Sequence, residues 1–155
     1  LASLPVRELA SLIRPSGYYN QKAKKIKSFL DFFLSKYSGS IKKMARENLW
    51  DLREELLSIN GIGDETADSI LLYALNKPIF VIDAYTIRIF YRLGYLGEKA
   101  TYRDAQKLFM DNLPLDVKLY NEYHALIVAL GKRACRPRPA CNECPLLKIC
   151  VARKG

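Results

Sequence analysis

Residues 57–67 read Leu-Ser-Ile-Asn-Gly-Ile-Gly-Asp-Glu-Thr-Ala and join two segments with helical patterns. Gly61 and Gly63 permit backbone conformations that other residues resist, so the stretch predicts a tight turn between two helices. A helix that starts directly after such a turn presents N–H groups and the positive end of its dipole to an anion. A nucleic-acid phosphate is one such anion, and this contact would not depend on base sequence. The alternative is a helix–helix turn in which the glycines only interrupt the chain.

Helical patterns extend from this turn in both directions and predict an all-α domain. Asn20 is the predicted N-cap of the second helix, and Ser38 to Ile41 form a predicted turn. Asp83 follows a brief extended run, Ile79 to Ile82, and is the predicted N-cap of the next helix. Gly131 suits the C′ position of the last helix. The predicted helices cover residues 5–13, 20–37, 49–57, 64–75, 83–93, 101–111 and 116–130.

All four cysteines of the chain lie near its end, in the pattern C-x5-C-x2-C-x5-C. Four thiolates this close in sequence can surround one metal centre. The spacing favours a [4Fe-4S] cluster over zinc, because there is only one C-x2-C unit and the sole histidine, His124, lies upstream. Disulfides are disfavoured because nothing else in the sequence is typical of a secreted protein. The predicted ligands are Cys135, Cys141, Cys144 and Cys150.

Composition narrows the class of protein and of partner. The chain has 155 residues, 50% of them apolar, which is enough for one core and too short for two full domains. It contains no apolar run long enough to span a membrane and does not begin with a signal-peptide pattern, so we expect an intracellular, cytoplasmic or nucleoid-associated protein. The net charge of +9 favours a polyanionic partner, although charge alone does not separate DNA from RNA or an acidic membrane.

Three motifs together resemble a known family. The turn G-I-G-x-x-T-A, the V-I-D at 81–83 and the cysteine tail, in this order, resemble the helix-hairpin-helix DNA glycosylases of the endonuclease III type, and the resemblance runs from Ser3 to Cys150. It implies a helical region over 1–134 that contains the hairpin, followed by an iron–sulfur cluster loop and tail over 135–155. It also implies that family members carry further helices before the point matching residue 1. The family loop usually has one more residue between its first two cysteines.

The resemblance implies an enzyme that flips a damaged base out of double-stranded DNA and cleaves its N-glycosidic bond. Asp83 is the candidate catalytic carboxylate, since an ionised acid stabilises the positive charge that develops on the sugar. Asp is also among the best N-caps, and both roles can coexist. Glu65 occupies the position of the lysine nucleophile of bifunctional members. A carboxylate cannot form a Schiff base, so Glu65 predicts a monofunctional enzyme that uses water, unless it is only a first-turn acid favoured by the helix dipole.

Other residues are candidates for substrate contacts. A loop stiffened by prolines carries basic residues between the first two cysteines, where guanidinium groups would add affinity for the phosphate backbone. Tyr85 is a candidate for the base pocket or for packing, and His124 is expected to be a packed, hydrogen-bonded histidine rather than a ligand. The predicted DNA contacts are Gly61, Ile62, Gly63 and Thr66 in the hairpin, and Lys132, Arg136 and Arg138 near the cysteines.

The lesion class follows from a narrower resemblance. The string from Ile13 to Lys24, with Glu65 to Asp68 and Asp83 to Tyr85, is most similar to the 3-methyladenine DNA glycosylase III branch, whose members often lack the cluster. It implies alkylated purines as substrates and a monomeric enzyme. The alternatives are an endonuclease III-like enzyme for oxidised pyrimidines, a glycosylase for mismatched thymine or uracil, and a non-catalytic DNA-binding module.

Overall fold

The computed structural model describes residues 1–153, which are helical without strands, as predicted. Residues 154 and 155 of the predicted tail lie outside this range. The chain divides into two compact units, Leu1–Ala67 and a second that begins at Asp68. Within the described range, no helix is both long and apolar enough to cross a membrane. The α-helices are α1 Val6–Leu12, α2 Tyr19–Tyr37, α3 Ile41–Met44, α4 Leu49–Ser58, α5 Asp64–Ser69, α6 Ala84–Arg92, α7 Tyr102–Asn112 and α8 Val117–Arg133.

The first unit is organised by the packing of α1 on α2. Leu9, Ala10 and Ala23 form a buried cluster between these helices, and Ile13 and Ile26 pack against it. These residues recur at helical spacing on one face of each helix, so their burial drives the two helices together.

Two predictions in this unit are wrong. Asn20 is not the N-cap of α2, because the helix already begins at Tyr19, after Tyr18 in a left-handed conformation with φ of 47°. The predicted turn from Ser38 to Ile41 ends one residue early, because Ile41 starts α3. There the side chain of Ser40 accepts a hydrogen bond from the Lys43 N–H and caps the short helix.

The second unit is built around aromatic rings. Phe80, in the extended run before α6, stacks on Phe109 of α7 with 4.0 Å between ring centroids, and meets Tyr120 of α8 edge-on at 5.2 Å. Helix α5 continues into this unit as a π turn, Ile70–Ala74. The carboxylate of Asp68, fully buried, accepts hydrogen bonds from the Tyr102 hydroxyl and the Gln106 amide, both at 2.7 Å.

Gly131 does not end α8, contrary to the prediction. The helix continues to Arg133, and Gly131 is buried within it. A Cβ added at Gly131 would lie 2.3 Å from Cδ1 of Tyr85 on α6, so glycine is needed here for the close approach of two helices. The sequence pattern could not separate these two uses of glycine, because both place it near a helix end.

Candidate active site

Of the two glycines in the turn between α4 and α5, only Gly61 has a backbone conformation that requires glycine. Gly61 has φ of 91°, the left-handed region that favours glycine. A Cβ at Gly61 would also lie 2.3 Å from Cγ of Lys25, whose side chain crosses the turn from α2. Gly63 does not have a positive φ, and its position for a Cβ is open, with nothing within 4 Å. Gly61 is therefore needed for the turn, whereas Gly63 leaves its surface accessible.

Buried side chains and one ion pair hold this turn in place. Ile59 and Ile62 are both buried, and the Ile62 N–H donates to the Ile59 carbonyl at 3.0 Å. Arg53 of α4 donates to the carboxylate of Asp64, the first residue of α5, at 2.7 Å. The side chain of Ile62 and its N–H thus both serve the turn itself. Outward contacts remain possible through the following residues, since N–H groups in the first turn of a helix have no partner within it.

Glu65 and Thr66 lie on the first turn of α5, and both are exposed. The carboxylate of Glu65 is therefore accessible from solvent at the position that the family resemblance assigns to the nucleophilic lysine. Lys25 was not singled out from the sequence. Its packing across Gly61 depends on a contact between two distant segments, which local sequence patterns do not specify.

Asp83 caps α6 with one carboxylate oxygen. Its Oδ1 accepts hydrogen bonds from the N–H of Thr86 at 2.7 Å and from the Thr86 hydroxyl at 2.8 Å. The other oxygen, Oδ2, takes no part in the cap and lies 3.6 Å from Nε2 of His124 on α8. Only 11% of the Asp83 side chain is exposed. The capping role inferred from the sequence is confirmed, and it leaves one oxygen for another task.

His124 and Tyr73 continue this arrangement away from Asp83. Nδ1 of His124 and the hydroxyl of Tyr73, on the π turn, form a hydrogen bond of 2.7 Å. Burial lowers the pKa of His124, and the nearby Asp83 carboxylate partly opposes that shift. His124 is therefore neutral at neutral pH. Its packed, hydrogen-bonded environment agrees with the sequence-based interpretation, but its approach to Asp83 was not foreseen.

The ring of Tyr85, a residue of α6, lies against α8. It packs on Gly131, and the guanidinium group of Arg88 lies over the ring at 5.1 Å from its centroid. These contacts correspond to the packing alternative for Tyr85, while the base-pocket role stays a prediction.

Two arginines of α6 attach the cysteine loop to that helix. Arg88 Nε donates to the carbonyl of Cys135 at 2.8 Å. Arg92 donates to the carbonyls of Arg136 at 2.7 Å and Pro137 at 3.0 Å, and to Sγ of Cys135 at 3.3 Å. The arginines are four residues apart, one helical turn, so their i, i+4 spacing was a signal that sequence analysis did not use. They hold the start of the loop by its backbone.

The four cysteines surround a common cavity. Cys135, Cys141, Cys144 and Cys150 are free thiols, each half-buried, and all four line a space of about 110 Å³. Across residues 1–153, no three His, Cys, Asp or Glu side chains are grouped so that they could hold a metal ion.

Exposed basic side chains lie on the same loop. Lys132, Arg136 and Arg138 are exposed, and the sequence from 132 to 138 contains four basic residues and no acid. Because Arg92 holds the carbonyls of Arg136 and Pro137, the backbone is anchored while the charged side chains face solvent.

The comparisons with known proteins place this geometry in a family. Residues 1–115 match the model of the HhH-GPD superfamily base excision DNA repair protein. A candidate DNA repair glycosylase of Methanocaldococcus jannaschii is 49% identical over 148 residues, 94% of this chain and 67% of the relative. Thymine-DNA glycosylase of Aeropyrum pernix is 31% identical over 156 residues, 97% of this chain and 66% of the relative. The chain thus spans about two thirds of the length of these relatives.

Solved structures agree with the sequence comparisons. A trapped endonuclease III–DNA covalent intermediate has a TM-score of 0.82 and 27% identity, covering 99% of this chain and 68% of the other. The Helicobacter pylori 3-methyladenine DNA glycosylase bound to 1,N6-ethenoadenine has a TM-score of 0.76 and 32% identity, covering 85% and 65%. Since three quarters of the chain matches the family model and nearly all of it aligns with the archaeal relative, this chain belongs to the HhH-GPD superfamily of base excision DNA repair proteins.

Proposed function

We propose that the protein is a DNA glycosylase that hydrolyses the N-glycosidic bond of a damaged base and leaves an abasic site. The observation that carries this proposal is the carboxylate of Asp83, which satisfies the helix N-terminus with Oδ1 and keeps Oδ2 outside the cap. Breaking a glycosidic bond develops positive charge on the sugar. A mostly buried, fixed carboxylate stabilises such charge far better than water does, because it needs no reorganisation during the reaction.

The nucleophile in this proposal is water. Glu65 is exposed at the start of α5, where the family resemblance places the lysine of bifunctional members. A carboxylate cannot form the imine that leads to strand cleavage. The enzyme is therefore expected to release the base and leave the strand intact until alkali is added.

The proposed cofactor is a [4Fe-4S] cluster held by Cys135, Cys141, Cys144 and Cys150. The support is the cavity that all four cysteines line, together with their C-x5-C-x2-C-x5-C spacing, which contains only one C-x2-C unit. When bound, the cluster would crosslink the loop through its cysteines and so fix the path of the basic segment. An absorbance band near 400 nm, roughly where iron–sulfur proteins absorb, together with iron and sulfide analysis of the purified protein, distinguishes it from zinc.

The proposed substrates are alkylated purines. The support is the resemblance of the active-site strings to the 3-methyladenine branch, together with the likeness to the Helicobacter pylori enzyme. Alkylation at a ring nitrogen makes the purine cationic and thus a better leaving group, which lowers the demand on the enzyme. A second candidate is a mismatched thymine, favoured by the 31% identity to thymine-DNA glycosylase of Aeropyrum pernix.

A lesion panel tests this proposal. Single-turnover reactions use duplexes that contain one alkylated purine, ethenoadenine, oxidised pyrimidine, uracil or mismatched thymine, each split into samples with and without alkali. Strand breaks only after alkali, from the alkylated purine, support the whole proposal. Release of thymine or uracil instead selects the second candidate. No base release from any duplex would leave the non-catalytic DNA-binding module as the better reading.

The proposed partner is double-stranded DNA, bound by one intracellular monomer through the hairpin and the basic loop. The double variant Arg136→Ala/Arg138→Ala removes two exposed cations without touching the carbonyls that Arg92 holds. We expect weaker binding to all duplexes, and a dependence of affinity on salt that is shallower by about one unit for each lost phosphate contact. The matched control is Lys107→Ala on α7, where an ion pair with Asp111 is lost. An unchanged salt dependence in the double variant would exclude these arginines from the interface.

A further inference from the structure

His124 carries a polar atom that the proposed mechanism has not used. Its Nε2 is buried and has no hydrogen-bond partner among the described residues, although 13% of the side chain is exposed. An unsatisfied buried donor or acceptor destabilises a folded protein, so such an atom needs an explanation. The acceptor in its vicinity is Oδ2 of Asp83, at 3.6 Å, just beyond hydrogen-bond distance.

Tyr73 determines which way the imidazole presents its proton. The Tyr73 hydroxyl either donates to Nδ1 of His124 or accepts from it across the 2.7 Å contact. If Tyr73 accepted, the lone pair of Nε2 would face a carboxylate oxygen, and two acceptors would repel each other. If Tyr73 donates, Nε2 carries the proton and points it at Asp83. Electrostatics therefore favours the tautomer that is protonated at Nε2.

The elements that hold these three residues suggest that the arrangement is specific. Tyr73 lies on the π turn Ile70–Ala74, a widened helical segment that is rare and occurs frequently at functional sites. His124 lies on α8, which contacts that π turn and also packs on α6, the helix that Asp83 caps. Three separate segments thus place the imidazole of His124 between the Tyr73 hydroxyl and the Asp83 carboxylate.

We propose that His124 is a positioning residue for Asp83: its Nε2–H, held in that tautomer by Tyr73, directs the free Oδ2 of Asp83 toward the sugar of the flipped nucleotide. This inference rests on the proposed glycosylase function. The separation of 3.6 Å closes to a hydrogen bond by a shift of a few tenths of an ångström, and such bonds in unbound enzymes often tighten when substrate binds. His124 does not itself touch the reacting atoms in this role.

Two substitutions separate positioning from simple packing. The side-chain nitrogen of glutamine reaches the place of the imidazole Nε2, whereas that of asparagine reaches only the place of Nδ1. We expect His124→Asn to release base about 10- to 100-fold more slowly in single-turnover reactions, with DNA affinity and thermal midpoint near those of the wild type. We expect His124→Gln to stay near the wild-type rate. Equal rates for the two variants, or a wild-type rate for His124→Asn, would overturn the inference.

A second measurement does not require activity. His124 is the only histidine of the chain, so its ring nitrogens give one set of signals in ¹⁵N NMR spectra of the full 155-residue protein. We expect the Nε2–H tautomer in the wild type and a shift toward the other tautomer in Tyr73→Phe. The Nδ1–H tautomer in the wild type would overturn the inference. No base release by the wild type would instead defeat the proposed function, whereas release that is unaffected by His124→Asn defeats only the inference.

Discussion

Replacing Asp83 by asparagine separates its capping role from its charge. The amide oxygen of asparagine can still accept from the N–H and hydroxyl of Thr86, the two bonds that Oδ1 of Asp83 now accepts at 2.7 and 2.8 Å. Asparagine is as good an N-cap as aspartate. What the variant loses is the negative charge and the favourable interaction of that charge with the helix dipole, about 0.3–1 kcal/mol at the start of α6. We therefore expect a folded protein of slightly reduced stability.

The effect on catalysis should be much larger. A carboxylate about 4 Å from a developing positive charge contributes about 4 kcal/mol at an effective dielectric constant of about 20, which is the setting of a group near a protein surface. The same effective dielectric constant of about 20 also describes buried groups such as Asp83, whose side chain is 11% exposed. A loss of about 4 kcal/mol corresponds to a rate lower by about a thousandfold. Binding of the duplex before the reaction should change little, because ground-state DNA carries no positive sugar for Asp83 to face.

The assay is single-turnover base release from the best duplex of the lesion panel, with DNA affinity and urea unfolding measured on the same preparations. Asp116→Asn is the matched control. Asp116 caps α8 in the same unit, with its Oδ1 accepting from the Leu119 N–H at 2.9 Å, and it should show a comparable stability change at the wild-type rate. Base release by Asp83→Asn within a few fold of the wild type, with the protein folded, would refute a catalytic role for this carboxylate.

Three further predictions concern the hairpin, the nucleophile and pH. Gly61→Ala should destabilise the protein by about 1–2 kcal/mol, because Gly61 has a positive φ and Lys25 fills the space a Cβ would take, whereas Gly63→Ala should cost less than about 0.5 kcal/mol in urea unfolding. Similar losses for both would contradict the turn geometry. Glu65→Lys should yield a complex with damaged DNA that borohydride traps, since an amine can form an imine at the sugar, while the wild type and Glu65→Gln should not. Trapping of the wild type would contradict the assignment of water as nucleophile. Because burial lowers the pKa of His124, the unfolded state binds a proton where the folded state does not, so the free energy of unfolding is highest above about pH 6.5 and decreases as the pH falls below it. His124→Gln should remove that dependence in urea unfolding at about pH 7.5 and about pH 5.5, and a wild-type stability that is independent of pH would contradict it.

Local signals in the sequence predicted most of the helices. Asp83 is the N-cap that its position at the end of the extended run indicated. That prediction succeeded because a cap bonds to N–H groups only two or three residues away, so the information is contained in a few adjacent residues. Thr101 and Asp116, which begin the predicted ranges of α7 and α8, cap these helices in the structure. The prediction for Asn20 was wrong because Tyr18, in a left-handed conformation, precedes α2 and no side chain caps the helix.

Contacts between distant segments were beyond the sequence signals. Gly131 was read as a helix end, although its role is to admit the ring of Tyr85 from α6. The links from Arg92 to the cysteine loop join residues more than forty positions apart. Nothing in local spacing specifies which helix face meets which, because packing of whole helices selects it.

The order of the three motifs along the chain was sufficient to predict the family and the fold class. The G-I-G turn, the V-I-D and the four cysteines are short stretches, and each is identified from adjacent residues alone. The separate roles of the side-chain atoms in the candidate site could not be predicted in this way. That Asp83 uses one oxygen for α6 and turns the other toward His124, and that Tyr73 meets the far side of the same imidazole, follows only from the packing of α6, α8 and the π turn. A hydrogen bond depends on distances of a few tenths of an ångström, and those are set once the helices have packed.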